Sequence, residues 1–169
     1  AFRLGIVQDY QIARLTGFLD PANDPLRAGY NKAQAEIAIG AGGVTGTGYL
    51  SGTQTNLDFV PEQHTDFIFT VVGEEFGFVG AILLLSLYGL LVWRGFRVAI
   101  LSRDTFGTLL ALGIASMWAF QIFINVGMTV GIMPITGIPL PFLSYGGSAL
   151  LTNFVAVGLL LNVHMRRFK

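Results

Sequence analysis

Sixty-one consecutive positions, Thr105 to Met165, carry no Asp, Glu, Lys or Arg, and a second uncharged run covers the eighteen residues Phe76 to Trp93. A helix needs about 20 mainly apolar residues to cross a hydrocarbon core ~30 Å thick, and buried helices of soluble proteins seldom hold so long an uncharged stretch. The longer run exceeds one span and is interrupted by a Pro- and Gly-rich break, Gly131 to Gly147. The pattern therefore predicts an all-α, polytopic membrane bundle with three spans, at about 74–97, 106–130 and 147–165. Residues 1–73 form a large irregular outer loop with interfacial helices, and 131–147 an outer turn. A soluble domain is the alternative, but 12% charged residues is half the usual ~25%. No cysteine is present, which excludes thiol catalysis and a disulfide scaffold. Zero net charge gives no reason to expect nucleic acid as a partner. The chain opens in mid-pattern at Ala1-Phe2-Arg3, as a piece of a longer protein would.

Charge placement predicts orientation. The basic residues are Arg94 and Arg97 at the end of the first span, Arg103 in the 98–105 turn, and Arg166, Arg167 and Lys169 at the C-terminus. Basic residues favour the cytoplasmic side. Residues 1–73, with seven acids against four bases in the first 66 positions, and the uncharged turn 131–147 then face outward.

Within the outer segment, residues 2–19 have helix-like apolar spacing suited to an interface, Asp20 to Pro25 is a turn cluster, and residues 30–39 suit a short helix. Gly40 to Gly52 is glycine-dense but lacks the Gly-Lys-Ser/Thr ending of a phosphate loop. It reads instead as backbone that approaches a ligand or neighbouring helix closely. The densest polar cluster follows, 58-DFVPEQHTDFIF-69. A helix started at Pro61 and running on would place Glu62 and Asp66 on one face, with His64 elsewhere. Asp66 stands where polar sequence gives way to apolar, and a carboxylate at a membrane edge is costly unless paired or used. It is the candidate general base; a helix cap or interfacial anchor is the structural alternative. Glu62, His64 and Asp66 make a poor complete metal set, so no metal site is expected. Glu74 and Glu75 mark the headgroup level or pack inside the bundle. Gln121 and Asn125 need interhelical partners or a wet cavity.

Two motifs in order, 57-LDFVPEQHTDFIFTVVGEEFGFVG-80 and Asn125 with 134-PITGIPLPFLSYGGSA-149, resemble the SEDS family, which includes RodA and FtsW. Upstream, Tyr10-Gln11, Arg14, Phe18 to Pro21, Gly29 to Asn31 and Gln34 are similar to its outer loop, and 52-GTQ-54 with Leu57 and Phe59 resembles the RodA type more. The resemblance implies the C-terminal portion of a ten-span bacterial inner-membrane protein. It implies an inverting peptidoglycan glycosyltransferase that polymerises lipid II in cell elongation and shape maintenance. A class B penicillin-binding transpeptidase and the elongation machinery would be its partners, besides membrane lipids. The family's catalytic aspartate falls on Asp66, and a regulatory acidic position on Asp58. Arg14 and Lys32, or a divalent Mg or Mn ion, would meet the diphosphate charge. Glu62, His64, Thr65 and Ser144 are further candidate substrate contacts. A flippase for the lipid-linked precursor and a non-catalytic scaffold for the transpeptidase are the rival functions.

Overall fold

The computed structural model describes residues 28–52 and 65–166. Among these the chain forms helices and no strand: α1 (Ala28–Gly42), α2 (Ile68–Ile100), α3 (Thr105–Thr129) and α4 (Gly147–Arg166). The expected features at 2–19, Asp20 to Pro25, Arg14, Asp58, Pro61, Glu62 and His64 lie outside the described residues. The short helix expected over 30–39 is α1, longer at both ends.

Helices α2, α3 and α4 are each long and apolar enough to cross a membrane. The last two match the expected spans to within a residue at each end. The first differs. It begins at Ile68 rather than 74, so position 73/74 lies inside α2, and it is broken at Gly77, whose φ of 64° and ψ of −160° are non-helical. Residues 78–100 form the straight part, about 34 Å at ~1.5 Å per residue, a length that matches the hydrocarbon core. The segment 68–76 is a separate short helix that carries Glu74 and Glu75, both buried. These two acids therefore pack inside the bundle.

The glycine-dense segment explains how this break is tolerated. In an unbroken helix the Phe78 and Val79 N–H groups would bond the carbonyls of Glu74 and Glu75. Instead, Phe78 N–H donates to Gly43 O (2.9 Å) and Val79 N–H to Val44 O (3.2 Å). The released carbonyls are taken from the same segment: Thr47 N–H donates to Glu74 O (3.0 Å) and Gly48 N–H to Glu75 O (3.1 Å). Thr47 Oγ1 adds a bond to Glu74 O at 3.0 Å, and Leu50 N–H donates to the Glu75 carboxylate at 3.2 Å. Two helical bonds are exchanged for four across the gap, so the Phe78 and Val79 N–H groups and the Glu74 and Glu75 carbonyls all keep partners. The contact is backbone on backbone. A Cβ on Gly46 would collide with the Glu75 carbonyl, and one on Gly77 with the Gly46 nitrogen. The expected close approach to a neighbouring helix is thus made to α2.

The spans pack through small residues and a few polar links. Gly95 of α2 lies against Ala115 of α3, close enough that a Cβ would stand 3.0 Å from the alanine methyl. Small residues let helices approach where lipid supplies no hydrophobic drive. Ala99, Ala111, Ile114, Trp118, Ala156 and Leu160 form a core shared by α2, α3 and α4. Trp118 Nε1–H donates to Asn153 Oδ1 at 2.7 Å, while Asn153 Nδ2 donates to Ala149 O at 2.9 Å, so both polar groups are satisfied within the bundle. The α2–α3 connection is short because Asp104 caps α3, its carboxylate accepting from Gly107 N–H at 3.2 Å. Near the end of α2, the Arg94 and Arg97 guanidinium carbons lie 5.7 and 5.2 Å from the Trp93 ring centroid, an arrangement suited to a membrane interface.

Candidate functional site at the loop end of the bundle

Asp66 sits in a turn, Thr65–Phe67, immediately before α2. A helix running through Asp66, which would put it on one face with Glu62, does not form in residues 65–67. The physical reason is a competing pair of hydrogen bonds, one local and one from far along the chain. Thr70 N–H turns back to Phe67 O at 2.9 Å, and the carbonyl of Asp66 is taken by a side chain from another helix. That side chain is Asn125, fully buried near the end of α3. Its amide nitrogen donates to Asp66 O at 2.9 Å and to Ile138 O at 2.8 Å. The partners that Asn125 needed come from a turn and a loop, not from another helix. Asn125 Oδ1, Gln121 Oε1 and Thr70 Oγ1 have no hydrogen-bond partner among the described residues.

The Asp66 side chain is half-buried, and one carboxylate oxygen rests against Gly137, where a Cβ would stand 3.2 Å from Oδ2. Gly137 has a φ of 74°, a conformation glycine adopts without strain. It belongs to the segment between α3 and α4, residues 130–146, which contains Pro134, Pro139 and Pro141. Prolines cannot donate, so this irregular backbone depends on other anchors. Ile132 and Met133 N–H groups donate to Gly127 O at 2.8 and 3.0 Å. Tyr88 of α2 donates its hydroxyl to Pro141 O at 2.6 Å. Phe142 stacks edge-on between Trp118 and Phe154, with centroids 5.7 and 5.9 Å away. Ser144 is buried, its Oγ accepting from Leu140 N–H at 2.8 Å. Its hydroxyl is thus engaged in shaping the loop, and the loop is a packed one.

Helix α1 closes the other side. Ala35 and Phe67 are buried together with Ile135 packed against them, which joins α1, the Asp66 turn and the loop. Lys32 and Glu36 of α1 lie beside Gly131 at the start of the loop; a Cβ there would collide with Glu36 Oε1 and stand 2.8 Å from Lys32 Cε. The two side chains are 3.9 Å apart, a partly exposed i,i+4 pair that adds little stability by itself. Lys32 and Asp66 therefore border the same loop, one near Gly131 and the other at Gly137. Ser144 lies beyond, after Pro141. Among the described residues no three His, Cys, Asp or Glu side chains gather as a metal-holding group.

The role of Glu36 beside Lys32 was not singled out from sequence, although their i,i+4 spacing is a legible signal. Gly137 had none beyond its place among prolines. Chemically, the arrangement offers a half-exposed carboxylate and an ammonium group along one rigid, uncharged loop. The loop's rigidity is testable through its Tyr88 anchor. Tyr88→Phe leaves a buried carbonyl without its donor and is expected to cost about 1–3 kcal/mol. A lower melting midpoint in detergent, with membrane insertion unchanged, is the expected reading.

The profile of the FtsW/RodA/SpoVE family, described as a cell cycle protein, matches residues 2–169. The chain is 48% identical to the peptidoglycan glycosyltransferase MrdB of Escherichia coli K12 over 162 residues, which are 96% of this chain and 44% of that protein. A solved structure concerned with coordination of polymerisation and crosslinking by a peptidoglycan synthase complex superimposes with a TM-score of 0.77 at 37% identity, over 96% of this chain and 44% of the other. The rod-shape-determining protein RodA of Thermus thermophilus gives 0.61 at 43% identity, over 75% and 39%. The chain thus spans less than half the length of these relatives. A match along nearly its whole length, joined to three membrane-crossing helices and the loop that links the last two, places this multi-pass membrane chain in the FtsW/RodA/SpoVE family.

Proposed function

We propose that a protein carrying this chain polymerises lipid II into peptidoglycan strands at the outer face of the bacterial inner membrane, in cell elongation and shape maintenance. Asp66 is the general base. The donor sugar is held through an α-linked lipid diphosphate and the product linkage is β, so the acceptor 4-hydroxyl attacks in line and the configuration inverts. As the new C–O bond forms and the bond to the diphosphate breaks, the hydroxyl proton passes to the Asp66 carboxylate. The diphosphate leaves without a protein acid because it is already a stable anion. Lys32, at the Gly131 end of the same loop, supplies counter-charge to it. The described residues offer no complete metal site, and no step is assigned to a metal.

One observation carries this reading: Asp66 at Gly137 and Lys32 at Gly131 border the same uncharged loop, at the end of the bundle opposite Arg94, Arg97 and Arg166. With the basic end on the cytoplasmic side, the carboxylate faces outward, where the growing glycan lies. A class B penicillin-binding transpeptidase is the proposed partner; the relative solved as a peptidoglycan synthase complex supports that pairing.

The test is lipid II polymerisation by a purified full-length protein carrying this sequence, wild type against Asp66→Asn, with lipid II binding measured in parallel. Loss of polymer with binding retained supports the enzyme. Polymerisation unchanged by the substitution supports a flippase, and no polymer from the wild type without its partner supports a scaffold.

A further inference from the structure

Asn125 occupies a place that neither packing nor helix formation requires of an amide. It is fully buried in α3, and its single amide group spends both hydrogens on carbonyls from two separate segments, Asp66 O at 2.9 Å and Ile138 O at 2.8 Å. The side-chain orientation is fixed by chemistry, since two facing carbonyl acceptors demand the nitrogen and would repel the oxygen. Each of those carbonyls is one step from the functional contact. The first belongs to the residue that carries the carboxylate. The second belongs to the neighbour of Gly137, on whose Cα face Asp66 Oδ2 rests. Asn125 therefore ties together the two backbone segments whose spacing places the carboxylate.

We propose that Asn125 is a positioning residue for the reaction. It holds the Asp66 turn against the loop at Gly137, so that the base meets the acceptor hydroxyl at the right distance and angle. It acts through backbone and touches no reacting atom. Phe67 and Ile135 also bring the two segments together, but apolar packing is non-directional, whereas the two Asn125 bonds fix one backbone against the other. The 65–67 turn lies outside α2, and the loop around Ile138 runs between Gly137 and Pro139, flanked by a residue free to take positive φ and one that cannot donate. Displacing a reacting group by about 1 Å costs on the order of 10²-fold in rate, which sets the scale of the effect.

This inference rests on the catalytic reading of Asp66, and the experiment separates the two. Full-length protein is assayed for lipid II polymerisation as Asn125→Leu, which keeps the volume but removes both donors, and as Asn125→Gln, which keeps the amide displaced by one methylene. Asp66→Asn is assayed alongside, and melting and monodispersity in detergent are recorded for all three. The expected result for Asn125→Leu is a fall in kcat of roughly 10- to 100-fold with KM within about threefold of wild type. Asn125→Gln, which retains donors and so the fold, should fall between Asn125→Leu and wild type in kcat. The proposal is overturned if Asn125→Gln and the folded fraction of Asn125→Leu both turn over at wild-type kcat while Asp66→Asn is inactive. It is equally overturned if KM rises in step with a loss of kcat, or if the loss follows only the fraction of unfolded protein. An active Asp66→Asn overturns the catalytic reading itself, and the positioning role with it.

Discussion

Asp66→Asn is expected to lower lipid II polymerisation by about 10²- to 10⁴-fold, the usual contribution of a positioned general base. That corresponds to roughly 3–5.5 kcal/mol of transition-state stabilisation. The exchange is nearly isosteric, and the backbone carbonyl held by Asn125 is untouched, so the turn and loop keep their geometry. The loss should thus appear equally in kcat and kcat/KM, with lipid II still bound. Asp66→Glu is a sharper companion. It retains the carboxylate but extends it by a methylene, which moves the oxygens from the place beside Gly137 where Oδ2 rests. Low activity in both variants identifies position as well as charge as necessary. Glycan chain formation on gels, with the partner's crosslinking blocked, is the measurement. Near-normal chains from Asp66→Asn would remove the base from the mechanism.

The second large effect is structural, at Gly77. A Cβ there would collide with the Gly46 nitrogen, and the backbone angles belong to a region that is essentially glycine's alone. Gly77→Ala must either strain the backbone or push the 43–48 segment away, and separation breaks the four bonds that Gly43, Val44, Thr47 and Gly48 make across the break. Strain of about 1–3 kcal/mol, added to buried groups left unsatisfied at about 1–3 kcal/mol each, puts the expected loss at or above about 4 kcal/mol. In practice the protein should fail to accumulate in the membrane or melt far below wild type. Gly89→Ala in α2 and Gly113→Ala in α3 serve as controls. Nothing lies within 4 Å of a Cβ at either position, so helix propensity alone should leave stability unchanged or raise it by about 0.5–1 kcal/mol. A melt of Gly77→Ala indistinguishable from these controls would mean that the loop does not brace the break.

These two residues mark how much of the molecule was legible along the chain. Asp66 could be picked out because a carboxylate at the boundary between polar and apolar sequence is visible in one dimension. Its turn was not, since the helix expected to pass through it is forestalled by Asn125, which is 59 positions away in sequence. Gly40 to Gly52 announced a close backbone approach, yet its target was hidden. The break at Gly77 lies inside an unbroken apolar run, and glycine in such a run is as compatible with a straight helix as with a gap. Ser144, a candidate substrate contact, is buried with its Oγ accepting from Leu140 N–H, a partner that the sequence does not indicate. The i,i+4 pairing of Lys32 with Glu36 was readable from spacing, but their position beside Gly131 required the fold.

What the sequence determined by itself is the helical, membrane-crossing character of the chain and where two of its three spans begin and end. Lipid offers no hydrogen bonds, so a long uncharged run has no other stable form, and the charges at its two ends with the Pro- and Gly-rich break inside it fix the boundaries. What the tertiary structure decided is every contact between segments: the loop braced into the broken helix, the asparagine joining turn to loop, and the glycine beneath the carboxylate. Those contacts are made largely by backbone groups, which are identical in every residue except proline and therefore leave no distinctive letter in the sequence.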